Sequence, residues 1–350
     1  MVTPGTGTPV DPPDPVAPPP RRYVVYGAGA IGGTIAARLH RAGHDVAVIA
    51  RGAQLDAIAA DGLQYTDPGG TGRIPLPAVG HPGQLRWRRG DVVLLATKTQ
   101  DTWAALADLV PAAGPETPVA CAQNGIENER LCTRLFENVY GLYVLVSAAH
   151  LEAGVVTAYQ GPGQAVLDVG RYPGGVDELA RALAGDLSAA GFSSRPVADI
   201  MRWKSAKLLA NLANGIEAAW GTEICEGSLY RLARAEGEEC LARAGIGFVS
   251  AAAERRRRHG LGSAMAVRGQ PIPGGSTWQT VARGHAATEA DFLNGEIALL
   301  GRLHGVPTPV NSALQRIVRD MAAAGTRPGT VPLTVYQDLC RAYEIAAPAS

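Results

Sequence analysis

Residues 201–214, Met-Arg-Trp-Lys-Ser-Ala-Lys-Leu-Leu-Ala-Asn-Leu-Ala-Asn, carry three polar side chains on one helical face. Lys207, Asn211 and Asn214 follow one another at i, i+4 and i+7, the spacing that stacks side chains along a helix. Lys204 precedes them by one turn. Leu208, Leu212 and Ile216 form a neighbouring apolar stripe. Asparagine is a mediocre helix former, costing up to ~0.7 kcal/mol against alanine. Two of them beside lysines with no acid between suggest the polar wall of a pocket; a solvated helix face is the other reading. The chain holds 32 basic residues, of which three are lysine (Lys98, Lys204, Lys207) and the other 29 arginine. In a chain that so prefers arginine, a retained lysine points to chemistry that needs an amine, because lysine can give up its proton and arginine cannot.

A second set of residues fits a dinucleotide. Gly27-Ala28-Gly29-Ala30-Ile31-Gly32-Gly33 follows the apolar run Tyr23–Tyr26 and opens a helical stretch that Gly43 ends; Val46–Ile49 is the next strand. Strand, glycine turn, helix and strand in this order form the first βαβ unit of a Rossmann domain. Gly27 allows the tight turn, Gly29 lets backbone approach a pyrophosphate, and Gly32 lets helix and sheet pack closely. The helix N-terminus, with Ala28, Ala30 and Ile31 around it, offers free N–H groups to the phosphates. No acid lies between Asp45, which begins the second strand, and Asp56. An NAD site places an acid at that strand's end for the ribose 2′-hydroxyl; Ala50-Arg51-Gly52 stands there instead, and Arg51 suits a 2′-phosphate. The expected cofactor is therefore NADP(H).

These residues need a scaffold. Asp91–Ala96 and Pro118–Cys121 read as further strands, running into Thr97-Lys98-Thr99-Gln100 and Gln123-Asn124-Gly125, and the carboxyl ends of such strands border the ligand crevice. Val139–Val146 reads as another strand, and 161–175 as a turn-rich segment with an antiparallel edge. Beyond Asp199 the pattern changes to 3.6-residue periodicity, predicting helices over 199–220, 228–258, 277–305 and 309–324. Thr288 is a predicted N-cap, which puts Glu289 in a first turn where the helix dipole suits an acid. The fold class is α/β: an N-terminal Rossmann-type parallel sheet domain over 21–196, then a mostly α-helical C-terminal domain over 197–345. Residues 1–20 contain eight prolines and no apolar core of a secretory signal, and read as a disordered tail.

Composition removes other classes. The formal net charge is zero over 350 residues, 46% of them hydrophobic. That argues against a nucleic-acid or anionic-membrane binder. No apolar run reaches the ~18 residues of a membrane span. The five cysteines form no CxxC pair, and His44, His150, His285 and His304 show no ligand grouping, so neither a disulfide framework nor a metal is expected. A soluble protein of a reducing, cytoplasmic compartment follows. The basic run Arg255-Arg256-Arg257-Arg258-His259 reads as the solvated end of a helix, where cations suit the dipole.

Together, Gly27–Gly32, Arg51, Lys98, Gln123-Asn124-Gly125, Lys207 with Asn211, and Ser276 through Glu289 resemble the ketopantoate reductase (2-dehydropantoate 2-reductase) family over about residues 22–325. The resemblance implies NADPH-dependent reduction of ketopantoate to pantoate in a cleft between the two domains. It implies that Lys207 is the general acid and that Lys98 and Asn124 lie at the cofactor and substrate edge of the first domain. By the same resemblance Asn211 binds substrate, with Asn214 as the second helix asparagine. Ser276 takes the substrate carboxylate, and Glu289 orients Lys207 or the substrate hydroxyl. Asn214 comes seven residues after the lysine where the family often has eight, and no asparagine stands near Ile224, where members commonly place another. These departures bear on the substrate, so reduction of another 2-keto acid remains a second reading, and a non-catalytic NADP(H) sensor a third. Lys204 is either structural or lowers the pKa of Lys207 by like-charge repulsion. Helical domains of this kind can dimerise, so a homodimer is also open.

Overall fold

The computed structural model describes residues 21–225 and 227–343. The expected tail over 1–20 and the last two residues of the expected helical domain lie outside the described residues.

Among the described residues eleven strands form two sheets. In chain order they are β1 (Arg22–Tyr26), β2 (Asp45–Ile49), β3 (Leu63–Asp67), β4 (Gly70–Ile74), β5 (Ala78–Val79), β6 (Asp91–Leu95), β7 (Val119–Cys121), β8 (Val139–Leu145), β9 (Ala148–Ala149), β10 (Val155–Ala158) and β11 (Val166–Arg171). The main sheet has the order β11-β8-β7-β6-β1-β2-β5. All its pairs are parallel except β8–β11, the antiparallel edge expected within 161–175. Its strands read as unbroken apolar runs because helices cover both faces. The strand order reverses at β1, with β2 on one side and β6 on the other, and the crevice at such a switch point is where ligands bind.

The second sheet, β4-β3-β10-β9, was not foreseen. It packs on α1 (Ala30–Arg41), burying eight of that helix's 12 residues between two sheets. The small residues Gly32, Gly33, Ala36 and Ala37 make that sandwich possible. A Cβ on Gly33 would lie 2.8 Å from Val156 of β10.

The main sheet's other helices are α2 (Gly52–Asp61), α3 (Thr102–Ala113), α4 (Asn128–Thr133) and α5 (Glu178–Ala189). The helical part follows, and three expected helices are broken. The one over 199–220 is α6 (Ile200–Asn211) and α7 (Ala213–Trp220). The buried Asn294 amide donates to the Leu212 carbonyl at 3.3 Å, taking an acceptor from the helical ladder at the break. The one over 228–258 is α8 (Ser228–Arg243) and α9 (Ala251–Arg258), split where Gly245 turns at φ +70° and Ser250 caps the second piece. The one over 277–305 is α10 (Ser276–Ala282), a 3₁₀ turn Glu289–Phe292 capped by Thr288, and α11 (Asn294–His304). Gly284, at φ +72°, ends α10 early and frees the segment that carries Glu289 back to the sheet. α12 (Pro309–Ala324) is as expected. α13 (Leu333–Ala342) was missed; it buries only Tyr336 and Cys340, an i, i+4 pair too sparse to stand out.

Among the described residues no helix is long and apolar enough to cross a membrane, and no cluster of histidines, cysteines or acids could hold a metal ion. The basic run of α9 departs from the solvated reading. Arg257 is nearly buried, with both guanidinium contacts to Asp168 of β11 at 2.7 Å, and Arg258 faces the cleft described next.

Candidate active site

One cleft of about 1000 Å³ runs along the carboxyl ends of β1, β2, β6 and β7 and is closed on the other side by α6, α7 and α10. Gly27, Ala28, Gly29, Ala30, Ile31, Arg51, Lys98, Asn124, Lys207, Asn211, Asn214, Ser276 and Glu289 all line it. Gly32 lies beneath, where any Cβ would fall 1.9 Å from the Gly27 carbonyl oxygen. Gly27 adopts φ +100°, and a Cβ there would press on Ala96 and Thr97 at 2.8 Å. Gly29 differs. A Cβ on it would meet protein only at 3.9 Å, at His150 Nδ1, so nothing in the fold itself demands glycine there. What its absent side chain leaves clear is the approach to the N-terminus of α1. That terminus has no side-chain cap and no acid in its first turn, so its N–H groups and dipole are available to an anion. Arg51 caps the end of β2, with its guanidinium 3.5 Å from the Tyr26 hydroxyl, 3.7 Å from Asp108 and about half exposed. These features fit a dinucleotide: close backbone at the pyrophosphate and a cation beyond the second strand.

The turns after β6 and β7 are tied together. Asn128, fully buried on α4, donates to Thr99 Oγ1 and to the Asn124 carbonyl, both at 3.2 Å. Across the cleft, Glu289 accepts from Lys98 Nζ at 2.6 Å and from the Thr99 backbone and hydroxyl at 3.3 and 3.2 Å. This ion pair joins the helical part to the sheet. The carboxylate's partners are thus Lys98 and Thr99, where the sequence reading had placed Lys207 or substrate.

Lys207 sits half-buried and lines the cleft together with Asn124. Burial, and then the Arg258 guanidinium, push its pKa down from the ordinary lysine value to about 8, with Glu254 opposing. Lys204 is not among the causes. It is buried, 2.8 Å from Glu129, and donates to the carbonyls of Gln123 at 2.7 Å and Leu142 at 3.4 Å. One turn on from Lys207, Asn211 is buried with its side-chain N–H₂ unpartnered at the cleft. Such a donor carries a desolvation penalty that a ligand's oxygen would relieve. Asn214 reaches Ser276 Oγ at 3.5 Å, so two residues 62 positions apart share one end of the cleft. Glu217, below them on α7, accepts the Gly275 N–H at 3.0 Å through both oxygens.

Two family models cover most of the described chain. Residues 23–174 match the ketopantoate reductase PanE/ApbA family and residues 199–322 its C-terminal domain. The 2-dehydropantoate 2-reductase of Mesorhizobium japonicum is 30% identical over 332 residues, spanning 86% of this chain and 98% of that one. The chain belongs to the ketopantoate reductase family. A second relative, the 2-dehydropantoate 2-reductase of Archaeoglobus fulgidus, is 30% identical over 85% of this chain and 97% of its own. A PanE/ApbA family ketopantoate reductase from Ralstonia eutropha superposes with a TM-score of 0.72 at 28% identity, covering 87% of this chain and all of that one. Family membership makes the chain an oxidoreductase and fixes the Rossmann-type sheet with helices after it as its architecture.

Further polar residues line the cleft of this ketopantoate reductase family member without a signal in the sequence. Gln54, His150, Glu217 and Arg283 line the cleft from α2, the loop after β9, α7 and the end of α10. Glu217 follows Asn214 by one turn on α7 and Arg283 follows Gln279 by one turn at the end of α10, but no motif marks any of the four. Their signal is spatial: distant segments that meet only in the fold.

Proposed function

We propose that this chain reduces a 2-keto acid with NADPH, that 2-dehydropantoate (ketopantoate) is its best single substrate, and that the product is pantoate, on the route to pantothenate and coenzyme A. Residues 21–196 are assigned to the cofactor domain and 197–345 to the helical, substrate domain. The observation that carries the reading is Lys207, an amine with a pKa of about 8, sharing a cleft with the glycine loop and the orphaned Asn211 donor. When bound, the nicotinamide supplies a hydride to the keto carbon. The carbonyl oxygen gains charge as its π-bond opens, and Lys207 delivers a proton to it, leaving a CH–OH group and a neutral amine that water reprotonates. An ammonium near pKa 8 is both charged and ready to transfer its proton at neutral pH. Asn211 holds the same oxygen, Asn124 and Asn214 position the acid, and Ser276 receives its carboxylate. Lys98, oriented by Glu289, faces the cofactor edge.

NADPH absorbance followed with ketopantoate, and with pyruvate and 2-ketoisovalerate as alternatives, tests the substrate. Turnover confined to ketopantoate supports the reading. Turnover confined to another keto acid selects the second reading, which the spacing of Asn214 favours. NADPH binding with no turnover on any of them rejects catalysis on this class. For the cofactor, Arg51→Ala is expected to weaken NADPH binding about tenfold and leave NADH binding unchanged, because a charge-assisted contact to the 2′-phosphate is lost. Equal effects on both cofactors would reject Arg51 as the 2′-phosphate ligand.

A further inference from the structure

Arg283 lies in the cleft without an acid partner. Its Nη1 donates to His150 Nδ1 at 2.9 Å and to the His150 carbonyl at 3.1 Å, and its Nε is buried with no hydrogen-bond partner. Among the described residues no carboxylate lies within ion-pairing distance of it; Glu289 acts on its charge from further away and is itself held by Lys98 and Thr99. A half-buried guanidinium with an orphaned N–H is costly unless an anion completes it.

Its surroundings say which anion. Arg283 has only donors, so His150 Nδ1 must accept and Nε2 must carry the proton. Nε2 then donates to Gln54 Oε1 at 2.9 Å, an oxygen that also accepts the Gly154 N–H at 2.6 Å. Gln54 Nε2 in turn donates to the Ala28 carbonyl at 2.6 Å, inside the glycine loop. The chain Arg283, His150, Gln54, Ala28 is therefore polarised in one direction, from a cation on the helical side to the dinucleotide loop. Burial, and then Arg283 and His285, hold His150 down at about pKa 4, so it stays a neutral acceptor through the physiological range. His150 Nδ1 is also the atom 3.9 Å from the position of a Cβ on Gly29. The guanidinium is thus hydrogen-bonded to the nitrogen that borders the loop residue whose missing side chain leaves room at the α1 N-terminus.

We propose that Arg283, delivered from the helical domain, binds the cofactor's pyrophosphate from the side opposite the α1 N-terminus, and that His150 and Gln54 position it there. This rests on the dinucleotide reading above and adds a phosphate ligand from outside the Rossmann domain. Binding of cofactor would then draw the two halves together across the cleft.

Calorimetric titration of the full-length chain tests this without turnover. Arg283→Gln is expected to weaken NADP⁺ and NAD⁺ by the same factor, about 10- to 100-fold, since both carry the pyrophosphate. Binding of adenosine 2′-monophosphate, which lacks it, should not change. Arg283→Lys should recover part of the loss, as a charge without the planar fork, and unchanged circular dichroism shows that both variants fold. Unaltered NADP⁺ affinity in Arg283→Gln overturns the proposal. So does unaltered affinity with a raised KM for the keto acid, which would assign Arg283 to the substrate carboxylate. Loss of NADP⁺ affinity alone, with NAD⁺ unaffected, also overturns it, placing Arg283 at the 2′-phosphate. A wild-type chain that binds NADP⁺ but reduces no keto acid rejects the substrate reading, and the affinities still decide the role of Arg283.

Discussion

Lys207→Ala is expected to lower kcat for keto acid reduction by at least ~100-fold, the usual loss on removing a positioned acid–base group, with NADPH affinity preserved. Cofactor affinity should hold because the glycine loop and Arg51, not Lys207, are the groups assigned to the dinucleotide. The pH profile carries the same assignment. In the free enzyme Lys207 titrates at about 8, so kcat/KM for reduction should be flat below that pH and fall tenfold per unit above it, as the ammonium disappears. A bound carboxylate favours the charged amine, so the corresponding break in kcat should lie higher. Oxidation of the hydroxy acid needs the neutral amine and should show the opposite slope. Near-normal turnover in Lys207→Ala, or a reduction rate that rises through pH 8, would remove Lys207 from the proton transfer. Arg258 offers a second handle. Its guanidinium helps hold the amine's pKa down, so Arg258→Gln should move the break in kcat/KM upward.

The parts of this protein that were legible in its sequence are those encoded locally. The opening βαβ unit is a run of apolar residues, three glycines and a helix in 28 residues (Arg22–Ile49), and each needs only its neighbours to be recognised. The spacing of Lys207 and Asn211 is likewise a property of one helix, α6, while Asn214 falls just past the break, on α7. What could not be read is set by distant contacts. The break after Asn211 depends on Asn294, 82 positions from Leu212, reaching its carbonyl. The second sheet uses strands as short as Ala148–Ala149, which have no periodicity to detect, and pairs β3 with β10 across some 90 residues of chain. The resemblance implies that Glu289 orients Lys207 or the substrate hydroxyl. In the fold it crosses the cleft to Lys98, since Gly284 ends α10 and turns the chain toward the sheet. Arg283 and His150 look like ordinary surface residues until the loop after β9 and the end of α10 meet.

Lys204→Met is expected to destabilise the fold by about 3–5 kcal/mol, the usual consequence of leaving one member of a buried ion pair alone. Lys204 and Glu129 are 3% and 0% exposed, so solvent screens neither charge. The lysine's remaining donors hold the Gln123 and Leu142 carbonyls, pinning α6 to the turn after β7 and to the middle of β8. Burial raises the Glu129 pKa and Lys204 is the main influence lowering it. Without the lysine, the folded-state pKa of Glu129 rises further above its unfolded value, so the folded chain binds the extra proton. The deficit should then be smallest in acid and grow as pH rises above the ordinary glutamate range toward neutrality, because burying the ionised carboxylate becomes the only option. The double variant Lys204→Met with Glu129→Leu should recover much of the loss, since it removes the stranded charge along with the pair. The break in the kcat/KM profile assigned to Lys207 should stay near 8 in Lys204→Met, because burial and Arg258 set it. Denaturant unfolding and the pH profile of the same variant separate the two roles. A stability change below about 1 kcal/mol would reject the structural pin, as expected only of an exposed pair. An upward move of the break would instead revive Lys204 as the group that tunes its neighbour.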